Sequence, residues 1–221
     1  MSDAAIRRSG IAGPATRDQA HALLGQVMGL VAATVGFTAL GAYLGRHMTG
    51  AGTLLLFIPV FGCVFGLNVA SSRDKQQLAT WLLFGLGFFL GLSVAPVLSY
   101  YAQADPAVVW QAAGVTALFV AGLGAYGYAS RRDFSSWYRG LFWALLALIG
   151  FGIVAIFVNI PQANVIYAVL GLVIFGGFTI VDFNRLRRAD KTEAVPIAAS
   201  IFLDVFNVFL LLLELFGSDR N

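Results

Sequence analysis

The chain has 221 residues, of which 59% are hydrophobic and 11% charged, against roughly 45–50% and about 25% in soluble domains. That balance excludes an ordinary soluble enzyme and predicts an integral membrane protein. A formal net charge of +3 would suit a nucleic-acid partner, but the basic residues sit in short polar links between apolar runs, so nucleic acid is excluded too.

Residues 1–22 are polar, carry Arg7, Arg8 and Arg17, and read as a cytoplasmic tail. The apolar run 23–45 that follows is longer than the about 7–15 residues of a signal-peptide core and long enough to span. Further apolar runs occupy 53–70, 78–99, 107–129, 137–158, 164–183 and 196–216, each bounded by charges or turn residues. The expected fold is therefore all-α: one polytopic bundle of seven transmembrane helices over 23–217, with a short tail at 218–221. The seventh run carries Asp204, Asn207 and Glu214, so this last helix is expected at the centre of the bundle rather than against lipid.

Three GxxxG pairs, Gly41/Gly45, Gly62/Gly66 and Gly87/Gly91, predict close approach of helices within the molecule. Gly122, Gly124 and Gly127 fit GxGxxG, but inside an apolar span rather than between a strand and a helix, so nucleotide binding is not expected. Pro59 and Pro96 interrupt the second and third runs; they read as kinks, or as the broken helices of a proton-coupled solute transporter.

Lysine and arginine set the expected topology. Twelve of the fourteen precede the first run or join runs two and three, four and five, or six and seven; only Arg46 and Arg220 fall on the other side. The positive-inside rule makes the rich side cytoplasmic, with the amino terminus inside and the carboxy terminus outside. Tyr100, Tyr101 and Trp110 fit one interface, and Trp81, Trp137 and Tyr138 the other.

Inventory narrows the chemistry. Cys63 is the only cysteine, which excludes an internal disulfide or a two-thiol relay. His21 and His47 flank the first run on opposite sides, so a histidine metal site or a serine–histidine dyad within the bundle is not expected. Lys75 and Lys191 both lie in links, which leaves no amine inside the bundle for a Schiff base.

What remains is acidic. Asp182 lies near the cytoplasmic end of the sixth run in VDFNRLRR, and Asp204 lies eight residues past Pro196, about 12 Å into the seventh helix at 1.5 Å per residue. An intramembrane carboxylate is costly and calls for a functional explanation. The two helices form an antiparallel hairpin, so the carboxylates would share one half of the bundle. If they meet they would share a proton, titrate as a unit and report pH. Ionised, they would offer hard oxygen ligands of the kind calcium prefers, although calcium takes six to eight. Asn207, one turn from Asp204, would add another oxygen or make a helix-to-helix hydrogen bond. Asp182 read plainly is a headgroup-level charge, and Glu214 an interfacial one. Acid–base proteolysis by the two aspartates is not expected, since VDFN and LDVF lack a flanking glycine that would let a substrate backbone approach. The chain is not read as an enzyme.

The pairing of VDFNRLRR with PIAASIFLDVFNVFLLLLELFG resembles the Bax inhibitor family, in its bacterial YccA-like branch. The resemblance extends over the whole chain in length, span count and the polar link before the last helix. It implies a calcium leak of the bacterial cytoplasmic membrane, gated by a pH-sensing aspartate pair with a basic latch at the end of helix two. Asp182 and Asp204 match the sensor, and Arg73 matches the latch. The second run has no acidic residue, where some relatives place a glutamate. No cofactor is expected; calcium enters as the permeant ion, with protons and the lipid bilayer as the other partners. The resemblance also implies a second reading, a regulator that binds the membrane protease FtsH through the tail carrying Arg7, Arg8 and Arg17.

Overall fold

A computed structural model describes residues 17–48, 52–158 and 161–218. Among them seven longer helices follow one another: α1 (Arg17–Gly45), α2 (Phe57–Ser72), α3 (Gln76–Ala104), α4 (Pro106–Ala129), α5 (Trp137–Phe157), α6 (Ala163–Leu186) and α7 (Ala194–Ser218). A single helical turn, Gly52–Leu55, precedes α2, and a 3-10 turn, Lys191–Glu193, precedes α7. The polytopic helical membrane bundle expected from composition is the fold observed.

Six of the helices are long and apolar enough to cross a membrane; α2, at 16 residues, falls short. The expected continuous run 53–70 is broken at Leu56, and Pro59 supplies the reason. Proline has no N–H to give the carbonyl four residues back, and its ring crowds that carbonyl, here on Leu55. Pro59 therefore sits in the first turn of α2 rather than at a kink, whereas Pro96 lies inside the unbroken 29-residue α3. α1 starts at Arg17, six residues before the apolar run. The rest of the expected tail, with Arg7 and Arg8, and Arg220 at the other end, lie outside the described residues.

Local signals account for several helix ends. Asp105 caps α4 by accepting the Ala107 N–H at 2.9 Å, and Pro106 occupies the first helical position, where its missing N–H costs nothing. α2 closes on Arg73, after which Asp74 takes a left-handed φ of 54°. The Lys75 N–H reaches the Ala70 carbonyl at 2.9 Å and the Asp74 N–H that of Ser71 at 3.2 Å, the paired bonds that finish a helix while turning the chain back.

Glycines set the tightest crossing. Gly41 and Gly45 of α1 face Phe88, Leu92 and Ala95 of α3, while Gly87 and Gly91 of α3 face Thr34 and Thr38 of α1. A methyl on Gly87 would lie 2.6 Å from the Thr34 carbonyl oxygen. These two pairs are thus the two halves of one interface. The third pair is not: Gly62 faces open space, and Gly66 meets only the Leu82 side chain. Gly124 and Gly127 pack α4 against Phe183 and Ile180 of α6.

The last helix is central. α7 packs against α1, α2, α3, α4 and α6, and buries Ile197, Ile201, Phe202, Val208 and Leu213, among others. α5 packs chiefly on α6 and buries Leu148 alone. Three basic links gather at one end of the bundle. Gln76 Nε2 donates to the Thr192 carbonyl at 3.0 Å, joining the α2–α3 and α6–α7 links, and Arg188 pairs with Asp133 across the α4–α5 link. Arg46 lies at the opposite end, near Ser99.

Candidate functional site

The site is built on the α6–α7 hairpin at the basic end. Asp182 stands in the last two turns of α6, and Asp204 stands ten residues into α7, about 15 Å along its axis. Each is only 5% exposed. The carboxylates are close enough for the charge of one to act on the other, and Arg185, three residues from Asp182, is the cation whose charge bears on it. Neither aspartate has a salt bridge among the described residues. The Oδ2 atom of Asp204 is buried with no hydrogen-bond partner there. An oxygen in that condition is costly unless it carries a proton, meets water or holds a cation.

Thr179 completes the buried group. It lies one turn before Asp182, is fully buried, donates to the Phe175 carbonyl at 2.8 Å, and has its hydroxyl beside the Asp204 carboxylate. The sign of it in the sequence is the spacing: a threonine three residues from an aspartate shares its helix face.

Asp182 lines a cavity of about 530 Å³ at the basic end, with Tyr138, Arg185, Arg188 and Glu193 among its walls. Two ion pairs frame it: Arg185 with Glu193 at 2.7 Å, and Arg188 with Asp133 at 2.8 Å. The Arg188 guanidinium, aided by the Ser135 backbone N–H, holds the Asp133 carboxyl well below the usual carboxylate range, and Asp133 in turn pushes the Arg188 guanidinium up.

Asn184, within the quoted VDFNRLRR but given no role from sequence, fastens one wall of this cavity. It is completely buried, and its Nδ2 reaches the carbonyls of Gly127, Ser130 and Arg132 at 3.0, 3.3 and 3.0 Å. Its Oδ1 accepts from the Phe134 N–H at 3.3 Å and from Arg188 at 2.6 Å. One amide side chain thereby ties the α4–α5 link to the helix that bears Asp182. The available sign was a second strongly polar residue beside Asp182, just where the apolar run ends.

The other candidate residues stand apart. Arg73, the match for the latch, is exposed at the turn after α2, and no hydrogen bond or salt bridge joins it to either aspartate among the described residues. Asn207, expected either as a further oxygen donor or in a helix-to-helix hydrogen bond, gives its Nδ2 to the Leu203 carbonyl of its own helix at 2.7 Å. A donor in a helix interior reaches its own carbonyl four residues back more readily than a neighbouring helix. Glu214 is half-buried near Tyr101 and Tyr167 toward the far end. Among the described residues, no group of three or more His, Cys, Asp or Glu side chains converges. Asp182 and Asp204 thus supply two carboxylates, well short of the full oxygen shell of a resident calcium.

Comparison with known proteins places the chain in a family. The family described as inhibitor of apoptosis-promoting Bax1 matches residues 20–221. An uncharacterized membrane protein of Vibrio cholerae is 31% identical over 171 residues, covering 76% of this chain and 75% of its own. Protein lifeguard 4 of Mus musculus is 32% identical over 169 residues, covering 76% and 69%. The Golgi anti-apoptotic protein of vaccinia virus strain Lister is 35% identical over 155 residues, which is 70% of this chain and 63% of the viral one. A match over nearly the whole bundle, last hairpin included, makes this chain a member of the Bax inhibitor family.

Proposed function

We propose that the protein is a pH-sensitive cation leak of a bacterial cytoplasmic membrane, with calcium as the permeant ion. The basic end is taken as cytoplasmic on the positive-inside rule. The observation that carries this reading is the pair of buried carboxylates on adjacent central helices, one lining an open cavity and the other bearing an unpartnered oxygen. Water and ions would reach Asp182 through the cavity of about 530 Å³. Asp204, deeper along α7, would be the next oxygen donor inward. With one proton on the pair, it carries a single charge and the two helices can stay packed. With the proton gone, two like charges repel in a region that solvates them poorly, and four carboxylate oxygens become ligands. The pair then titrates jointly and acts as the switch between two arrangements of the hairpin. The route beyond Asp204 uses no acidic residue from α2, which has none.

The test is calcium flux into proteoliposomes across pH 5–8 for wild type, Asp204→Asn, Asp182→Asn and the double variant. The expected outcome is loss of pH dependence in each single variant, with the double no worse than either because the two act as one unit. Flux and pH response unchanged in Asp204→Asn would end the assignment. Arg73→Gln, in the same assay, decides whether the exposed turn after α2 latches the pair in the second arrangement.

A further inference from the structure

The link between α4 and α5, residues 130–136, is short, fixed and basic. Phe134, buried, anchors it from below, its ring 6.1 Å from that of Tyr126 and 4.9 Å from that of Trp137. Asn184 holds its backbone from the side through the carbonyls of Ser130 and Arg132 and the N–H of Phe134. Within the link, the Ser130 hydroxyl accepts the Arg132 N–H at 3.3 Å and the Asp133 carboxylate accepts the Ser135 N–H at 2.9 Å. α5 then starts without slack, since the Trp137 N–H reaches the Phe134 carbonyl at 2.9 Å. Side chains mounted on such a frame lose little backbone freedom when they bind.

Those side chains carry charge that nothing nearby balances. Arg131 and Arg132 in the link and Arg139 in the first turn of α5 are exposed, and none of them has a salt bridge among the described residues. The one acid of the segment, Asp133, is engaged with Arg188 at 2.8 Å, and the first turn of α5 has no acidic residue. The other two basic links differ. Asp74 stands between Arg73 and Lys75, while in the α6–α7 link Glu193 pairs with Arg185 and Asp190 adjoins Lys191.

The planar fork of arginine matches phosphate oxygens, and the position of α5 selects which phosphate. α5 is the edge helix, burying Leu148 alone and turning Trp143, Ile153 and Ile156 outward, so the layer beside its first turn is lipid headgroup. Trp137 and Tyr138 are exposed at that same turn, the kind of amphipathic ring that settles at headgroup level. A soluble anion would meet the same arginines but gain nothing from the rings or from the apolar face below them.

We propose that the α4–α5 link is a binding site for the phosphate of an anionic phospholipid headgroup, held by Arg131, Arg132 and Arg139 with Trp137 and Tyr138 beside it. Ser135 and Tyr138 also line the cavity that Asp182 reaches. A headgroup bound here therefore sets a negative charge beside the mouth of that cavity.

The experiment reads lipid retention and does not depend on ion flux. The full chain, purified in a neutral detergent, is titrated separately with dioleoylphosphatidylglycerol and dioleoylphosphatidylcholine, which share their acyl chains. Retained lipid is counted by native mass spectrometry while Tm is followed. Wild type should retain the anionic lipid in preference, and with it show the larger saturable rise in Tm, as for a ligand that binds only the folded state. A triple variant, Arg131→Gln with Arg132→Gln and Arg139→Gln, should lose most of that preference, at roughly fivefold for each arginine near an anionic surface. A second triple variant, Arg73→Gln with Lys75→Gln and Lys191→Gln, removes the same charge from exposed positions of the other two links and should keep it. Equal losses in the two variants would overturn the proposal, because the preference would then follow net charge alone. So would a wild type without preference, or a first variant that retains the full preference. Inorganic phosphate that raises Tm as far as the anionic lipid does would equally overturn it, since the occupant would then be a soluble anion.

Discussion

α5 and α7 are of similar length and both strongly apolar, yet one lies at the edge of the bundle and the other runs through its middle. α5 buries Leu148 alone and turns Trp143, Ile153 and Ile156 outward; α7 is enclosed by five other helices and buries both apolar side chains and Asp204. Hydrophobicity alone does not separate them, because lipid and protein interior are equally apolar surroundings. The polar residues do. A helix carrying an aspartate, an asparagine and a glutamate is tolerated in a membrane only when other helices or water take up those groups.

That contrast can be broken most forcefully by truncating equivalent side chains. Ile201→Ala, at a fully buried position of α7, should cost about 2–5 kcal/mol, and Ile153→Ala on the outer face of α5 within about 0.5 kcal/mol, read from unfolding in detergent. Similar losses at the two sites would deny α7 its central role. Asn184→Ala should follow, since the buried Gly127 carbonyl and Phe134 N–H, with the carbonyls of Ser130 and Arg132, would lose their partner, at about 1–3 kcal/mol for an unsatisfied buried group. Hydrogen exchange should show residues 130–136 opening first. Gly91→Ala should cost about 1–3 kcal/mol by forcing α3 off the Thr38 carbonyl, whereas Gly62→Ala, which faces open space, should be neutral or gain up to about 1 kcal/mol in helix propensity. The smallest effect belongs to the half-exposed Arg185–Glu193 pair, where Glu193→Gln should change stability by at most about 1 kcal/mol.

pH separates the rim of the cavity from its floor. The Asp133 carboxyl is held below its unfolded value of about 3.9. Its contribution to stability is therefore fully present above that value and is lost only as pH falls through the lower folded-state value. The Asp133–Arg188 tie is thus intact throughout pH 5–8. Asp133→Asn should loosen the α4–α5 link equally across that window and leave the shape of any pH response of flux unchanged. A shifted midpoint would place part of the sensor on the rim.

The bundle was legible because charges interrupt its apolar runs, and the central last helix because of the polar residues inside it; a seventh full-length span was not, since Pro59 divides the run 53–70 and leaves α2 at 16 residues. Asp182 and Asp204 were legible for the same reason, as charges that interrupt nothing. Less was visible where a residue's partner is distant in the chain. Asn184 binds carbonyls 52 to 57 residues away, and no local pattern announces that. Pairing among the glycine motifs was equally hidden: GxxxG at Gly62/Gly66 reads the same as at Gly87/Gly91, and only the path of α1 makes the latter an interface. Asn207, readable either as a further oxygen donor or as a link to another helix, gives its amide to its own helix, a choice that no sequence pattern makes.

The interruption at Leu56 has a consequence for the surrounding bilayer. α2, at 16 residues, is about 24 Å long, some 6 Å less than a typical hydrocarbon slab of about 30 Å. Hydrophobic mismatch of this kind is relieved by local thinning, at fractions of a kcal/mol for each ångström. If the Gly52–Leu55 turn does not complete the crossing, the bilayer on the α2 flank is expected to thin to meet it, and thin bilayers should then hold the protein with less strain than thick, sterol-stiffened ones.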